Sequence, residues 1–304
     1  MKSKIVYILH FIIRNLRLEK IVIKLFNFLK IKKWKALPQN LLYNYNDKIR
    51  ITKNNVIFDI NRSDFTQWQI YADYPELHFE AFLRSKKKGN IIDVGGNIGS
   101  FSLLAANYLK QTSNYHKIYC FEPYQQIFDK LLNNIKLNKN LKDFLIVEDI
   151  ALGSIIDEKL TFNIIKKNLG ANYLEPTNID FLKKTDNFVL GDTLDNYCNK
   201  NNISNITFIK IDVEGMELDV LKGSTNIIKK NKPDIFIEIN EKKYNERGQS
   251  FKSYLLNFDN EKRNFFIENK NKRNFEKISV QNIILLLQNK KNNFNLLISF
   301  FNFT

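Results

Sequence analysis
Residues 90–101, N-I-I-D-V-G-G-N-I-G-S-F, set a carboxylate beside a cluster of glycines. Ile91, Ile92 and Val94 read as a strand buried on both faces, and Gly95, Gly96 and Gly99 as a tight turn. Phe101, Leu103, Leu104, Ala105 and Leu109 follow at helical spacing. Glycines let backbone N–H groups approach a ligand closely, and a helix N-terminus adds partial positive charge, so this strand–turn–helix suits a nucleotide-type ligand. It is not tuned for a pyrophosphate. The G-x-G-x-x-G register is missing, and Asp93 would repel a pyrophosphate while suiting an ammonium or sulfonium centre. Glu122 ends a second apolar run, K-I-Y-C-F-E-P, about 20 residues past the turn, where such folds place an acid on ribose hydroxyls.

The second stretch is Ile206-Thr-Phe-Ile-Lys210-Ile-Asp212-Val-Glu214-Gly215. Strand residues alternate faces, so Lys210, Asp212 and Glu214 project on one side. Three charges at a strand's end are costly unless they pair or serve a site. Glu238 stands near the end of the next apolar run, Asp234–Asn240. Acids so grouped suit proton removal in a general-base role. Asp212, Glu214 and Glu238 could equally hold a divalent cation through oxygen ligands. Asp149, after the run Phe144–Val147, is either a group placed to meet an adenine amine or a solvated turn acid. His78, in the polar-aromatic cluster Tyr74–Glu80, is a structural side chain or a candidate base.

Strands alternating with helices at about residues 126–139 and 217–230 predict an α/β fold with a mostly parallel sheet. Lys159–Ile165, Ala171–Leu174 and Phe188–Leu190 break that rhythm and read as a small antiparallel insertion, followed by a short helix capped at Asp192 or Thr193. A hairpin is expected at Phe265–Ile267 and Phe275–Ile278 around an Asn269–Asn274 turn, then a C-terminal helix from Val280 and an apolar tail. The expected organisation is a basic amphipathic segment over 1–35, a prelude of helices and strands over 36–89 able to cap the pocket, a main domain over 90–279, and a helical tail over 280–304. In residues 1–35, Ile5, Ile8, Leu9, Ile12, Leu16, Ile21, Leu25 and Leu29 lie at helical spacings among ten Lys and Arg and Glu19 alone. That pattern fits peripheral contact with an anionic membrane, or packing on the domain or a partner. Arg14 interrupts the apolar run, which argues against a secretory signal or a spanning helix.

The net charge of +15 would ordinarily raise nucleic acid as a partner. Only 8 of the 47 basic residues are Arg, however, and Arg is the better reader of base edges and phosphates. Cys120 and Cys198 offer neither a disulfide framework nor a CxxC metal site, which fits a reduced, cytoplasmic setting.

From about Asp73 to Ile278 the chain resembles the FkbM family of S-adenosylmethionine (SAM)-dependent methyltransferases. The resemblance rests on I-I-D-V-G-G-N-I-G (91–99), F-E-P (121–123), A-L-G (151–153), T-L-D (193–195) and I-K-I-D-V-E-G-M-E-L-D-V-L-K-G (209–223). It implies a Rossmann-like class I methyltransferase sheet, mostly parallel with an antiparallel last strand, and O-methylation of sugar hydroxyls in surface polysaccharides or natural products. It places Asp93, Gly95, Asn97 and Gly99 at the methionine part of SAM, Glu122 at the ribose, and Asp212 and Glu214 near the transferred methyl. Gly96, where the family often carries Ala, is a departure. The expected acceptor is a sugar, nucleotide-sugar or glycan, with no nucleic acid partner, in the cytoplasm or at the inner face of the membrane. Three other readings stay open. A nucleic-acid base methyltransferase is disfavoured by D-V-E-G where a Pro-Pro-aromatic motif would stack a base, and an NAD-dependent oxidoreductase by Asp93. A non-catalytic membrane-associated scaffold would leave the charges at 210–214 without a purpose.

Overall fold
The structure is a computed structural model that describes residues 8, 11–13, 18–28, 43, 47–74, 76–85, 87–163, 173–176, 188–269, 274–289 and 293–302. Ile5, Leu9, Leu16 and Leu29 of the basic segment, residues 164–165 and 171–172 of the insertion and the turn at 270–273 lie outside the described residues. The chain divides into two compact units, Met1–Pro75 with Ile165–Ala171, and Glu76–Ile164 with Asn172–Thr304.

The first unit contains helix α1 (Glu19–Phe28), the hairpin β1 (Lys48–Lys53) and β2 (Val56–Asn61), and helix α2 (Phe65–Tyr71). The hairpin closes on Asn54 and Asn55, both at positive φ, the geometry that two-residue turns need and Asn tolerates. Val56, Phe58 and Ile60 of β2 alternate into the interior. Asp64 caps α2 by accepting from the Gln67 N–H, and Trp68 of that helix is fully buried with Ile13, Ile23, Tyr43 and Ala72. Arg62 stacks over the Tyr43 ring at 4.4 Å and pairs with Asp47 at 2.8 Å and Glu19 at 3.3 Å.

The second unit is built on an eight-stranded sheet. In chain order its elements are α3 (Leu77–Arg84), β3 (Asn90–Val94), α4 (Ser100–Gln111), β4 (Ile118–Phe121), α5 (Gln125–Leu137), β5 (Leu145–Glu148), β6 (Ala151–Leu152), β7 (Lys159–Asn163), β8 (Tyr173–Pro176), β9 (Phe188–Asp192), α6 (Leu194–Lys200), β10 (Ile206–Ile211), α7 (Glu217–Lys222), α8 (Thr225–Asn231), β11 (Asp234–Ile239), α9 (Glu241–Glu246), α10 (Lys252–Asn260), β12 (Asn264–Asn269), β13 (Asn274–Ile278), α11 (Val280–Gln288) and β14 (Phe294–Ser299). The sheet order is β13-β12-β14-β11-β10-β3-β4-β5, with β3, β4, β5, β10 and β11 parallel to their neighbours in that set. β14 runs antiparallel between β11 and β12. This mostly parallel sheet with an antiparallel last strand is the expected Rossmann-like class I methyltransferase arrangement. The insertion forms a second sheet, β6-β9-β7-β8.

Two expectations are corrected. The tail over 280–304 is not helical throughout: α11 stops at Gln288, and residues 294–299 enter the sheet. Leu296, Leu297 and Ile298 are all fully buried, so consecutive side chains are covered on both faces, as in an interior strand and not on a docked helix. The helix expected over 217–230 breaks into α7 and α8 at Gly223–Ser224, where Ser224, at φ −115° and ψ 7°, leaves helical geometry; the Gly223 backbone lies against Gly153, where a Cβ would come within 2.0 Å of the Gly153 carbonyl oxygen.

Gly96 has a local explanation: a Cβ there would lie 2.2 Å from the buried Cys120 Sγ on the neighbouring strand β4. Cys120 fills the space that an alanine methyl would take. Gly96→Ala should therefore destabilise the protein by about 1–3 kcal/mol through overpacking, and Cys120→Ala in the same chain should recover most of that loss in denaturant unfolding.

Candidate active site
The ends of β3, β4, β10 and β11 converge because parallel strands start and stop in register. Val94 pairs with Ile211 and Phe121, and Ile211 with Ile237. The chain leaves β3 through Gly95, at φ +84°, where a Cβ would stand 1.9 Å from the Asp212 carbonyl oxygen. The turn after β3 and the turn after β10 are thus in backbone contact, and the Asp212 N–H donates to the Val94 carbonyl at 3.1 Å. Asn97 also sits at positive φ, and Gly99, at φ +88°, caps α4.

Asp93 and Lys210 form the base of the site. Asp93 is fully buried, accepting from the Ser102 hydroxyl at 2.6 Å and from Lys210 Nζ at 3.0 Å. Lys210 Nζ also donates to the Gly95 carbonyl at 2.7 Å and stands 4.0 Å from the Asp212 carboxylate. Burial pulls against the ammonium, but Asp93 and Asp212 outweigh it and raise its pKa above the ordinary value.

Asp212 Oδ2 lies 3.1 Å from His78 Nε2 on α3. Burial disfavours the Asp212 charge, yet the His78 hydrogen bond and the Lys210 charge win and hold its carboxyl well below the usual carboxylate range. Asp212, Glu214 and Glu238 bring carboxylate oxygens within 4.8 Å of one another. Burial pushes Glu238 well above its ordinary value, with the Asp212, Glu214 and Glu217 charges adding to it. Burial and the Asp212 charge also raise Glu214, against the opposing Lys243 ammonium. Such a set favours one fixed anion beside carboxyls that hold protons to higher pH. Glu214 adopts a left-handed conformation, φ +57°, held by Lys243 Nζ, which donates to its carboxylate at 2.9 Å and its carbonyl at 2.6 Å.

At the end of β4, the Glu122 carboxylate accepts from the Asn97 and Tyr124 N–H groups at 2.9 and 3.1 Å. Burial raises its pKa to about 7 against those two amides. Asp149 is exposed just beyond β5. Glu122 is therefore tied to the glycine turn itself, whereas Asp149 is a solvent-facing strand-end residue.

His78, open in the sequence between a structural side chain and a candidate base, stands against Asp212, while Lys243, Glu217 and Tyr173 carried no site assignment. Glu217 accepts from the Val213 and Gly215 N–H groups and closes the turn that presents Glu214. The Lys243 ammonium lies 5.3 Å from the Tyr173 ring centre, so the insertion contributes an aromatic at the carboxylate cluster. Only the acid in E-G-M-E, two residues past the glycine, hinted at such a turn-closing role.

Replacing Lys210 by Met should leave Asp93 buried and uncompensated, costing about 3–5 kcal/mol of stability, and Asp93→Asn in the same chain should return part of it. Denaturant unfolding of the two single variants and the double variant measures that coupling.

Residues 93–276 match the Methyltransferase FkbM domain family. No curated protein matches the chain. Among solved structures, the methyltransferase FkbM from Methylobacillus flagellatus KT aligns over 50% of this chain and 32% of its own at 20% identity, with a TM-score of 0.32. This chain thus spans about a third of that relative. TYW2 of P. horikoshii, in complex with MeSAdo, aligns over 86% of this chain and 74% of its own at 13% identity and a TM-score of 0.39. TrmK of M. capricolum, in complex with S-adenosyl-homocysteine, aligns over 73% and 66% at 15% identity and a TM-score of 0.32. With these TM-scores below 0.5, the likenesses carry no argument about fold or acceptor; the fold rests on the sheet order and the family match. That match covers more than half of the chain and contains the glycine turn, Glu122 and the acidic cluster: the chain belongs to the FkbM family of SAM-dependent methyltransferases.

Proposed function
We propose that the protein methylates a hydroxyl of a sugar, nucleotide-sugar or glycan acceptor. The observation that carries this reading is the convergence of Asp212, Glu214 and Glu238 beside the glycine turn. A hydroxyl needs its proton removed as it is alkylated, and several carboxyl oxygens together suit a polyol.

The cofactor's requirements fit the residues present. Gly95 and Gly99 take positive φ, and the space of a Gly95 Cβ is filled by Asp212 backbone, so only glycine keeps this turn. Gly95, Asn97 and Gly99 are the residues that would hold the methionine part of SAM, Glu122 its ribose hydroxyls and Asp149 its adenine. Asp93, wholly engaged by Ser102 and Lys210, is assigned a positioning role through the turn. Bound SAM supplies an electrophilic methyl on a sulfonium.

The protein's own residues do the rest. Glu214, partly exposed and with a raised pKa, is assigned as proton acceptor, since a base titrating nearer the working pH is more effective than one held strongly acidic. Asp212, kept ionised by His78 and Lys210, stabilises the local positive charge. Glu238, whose carboxyl burial and the neighbouring acids push well up, is assigned to donate a hydrogen bond to an acceptor oxygen, fixing that hydroxyl's orientation. The same cluster favours one second reading, in which a divalent cation replaces the shared protons. Turnover that survives chelation supports the proton-sharing form, and turnover restored by Mg²⁺ or Mn²⁺ after chelation supports the other.

Glu214→Gln should lower methyl transfer about 10²–10⁴-fold while calorimetric S-adenosylhomocysteine binding survives; unchanged turnover overturns the assignment. The raised pKa of Glu122 also gives signed expectations. Below about 7 its carboxyl is protonated and loses acceptor capacity for ribose hydroxyls, so S-adenosylhomocysteine affinity should strengthen as pH rises through that value, approaching about tenfold per pH unit below it. The folded state holds this proton more tightly than the unfolded chain, so Glu122's contribution to stability is present at low pH and lost as pH rises through about 7.

A further inference from the structure
Helix α1 carries apolar side chains on two opposite faces. Ile23 points into the first unit and is buried with Trp68, Tyr43 and Ala72. Ile21 and Leu25, four residues apart on one face, are 63% and 51% exposed. At roughly 100° per residue, Ile21 and Ile23 lie roughly 200° apart, so the exposed pair is not a fringe of the packed stripe. The pattern repeats ahead of α1, where Ile13 is buried while Phe11 and Ile12 are exposed, and Ile8 is exposed as well.

The charge in the sequence of this segment is one-sided. Residues 1–35 contain ten Lys and Arg and one acid, Glu19. Glu19 is turned inward, accepting from Arg62 Nη1 at 3.3 Å with its side chain 13% exposed. The sequence of this segment is thus strongly basic, and its described residues also expose Ile and Phe. A nucleic acid would use the charge but not the exposed aliphatic side chains. A second copy of this chain would set like charge against like charge. An anionic lipid surface satisfies both, with apolar side chains entering the headgroup boundary and lysines meeting lipid phosphates. Among the described residues no helix is long and apolar enough to cross a membrane, so the contact is with the surface.

We infer that helix α1, with Ile8, Phe11 and Ile12 ahead of it, forms a docking surface for an anionic lipid bilayer, with Ile21 and Leu25 on the inserted face. The test is flotation of the full-length protein with phosphatidylcholine vesicles and with vesicles containing about a third phosphatidylglycerol. Binding should be confined to the anionic vesicles. It should fall at least about tenfold as ionic strength rises from about 0.1 M to about 1 M, which shortens the Debye length from about 10 Å to about 3 Å. Ile21→Glu with Leu25→Glu should abolish flotation while the circular dichroism spectrum and S-adenosylhomocysteine binding stay unchanged, since these side chains face solvent in the unit that lacks the glycine turn. A folded protein that ignores anionic vesicles, or a double variant that still floats, overturns the inference. A dimer in sedimentation that dissolves in the double variant, without vesicle binding, overturns it in favour of a second copy.

Discussion
A single buried ammonium holds the centre of the second unit together. Lys210 binds Asp93 on the neighbouring strand, the Gly95 carbonyl in the turn beyond it and, at longer range, Asp212. Two charges taken out of water are tolerable only when each is paired and further hydrogen-bonded. The Ser102 hydroxyl on α4 supplies the additional bond to Asp93, and the Gly95 carbonyl the one to Lys210. The glycine turn, the first helix after it and the acidic turn after β10 are thereby referred to one point. Displacing any of them would strand a charge in the interior.

Around that point, much of the family's recognisable pattern is packing. A-L-G, T-L-D and V-L-K-G interlock: the Gly153 carbonyl lies where a Gly223 Cβ would be, and the Asp195 N–H donates to the Gly223 carbonyl at 2.9 Å. The Asp195 carboxylate accepts from the Asn226 and Ile227 N–H groups at 2.9 and 2.8 Å, satisfying free donors at the start of α8. Thr193 caps α6 through the Asn196 N–H. None of these residues need touch a ligand. They fix the distance between the insertion, α6 and the helices after β10, and so support the turn in which Glu217 presents Glu214.

The electrostatics of the cluster follow from where each carboxylate sits. Asp212 has a cation and an imidazole beside it; Glu238 has mostly other acids. Similar side chains, a few ångströms apart, are pushed in opposite directions by their neighbours. The left-handed Glu214 adds a local backbone cost that the Lys243 contacts offset.

What the sequence determined by itself was mostly local or periodic. Apolar runs marked β3, β4, β10 and β11, glycines marked the turn, and fixed spacing brought Asp93, Glu122, Asp212, Glu214 and Glu238 to strand ends, because in a parallel sheet successive strand ends fall on one edge. Thr193 was legible as a cap for the same reason: capping is settled within one turn of chain. Tertiary structure alone decided the rest. It put Asp93 in the interior with Lys210, 117 positions away, and set His78 against Asp212 across 134. It made a strand of the apolar segment 294–299, because a short apolar run suits a tail or an interior strand equally until two partner strands claim its hydrogen bonds. Which carboxyl keeps its proton was likewise invisible in the chain, since that depends on burial and on charges from other elements, and neither is encoded in the neighbouring residues.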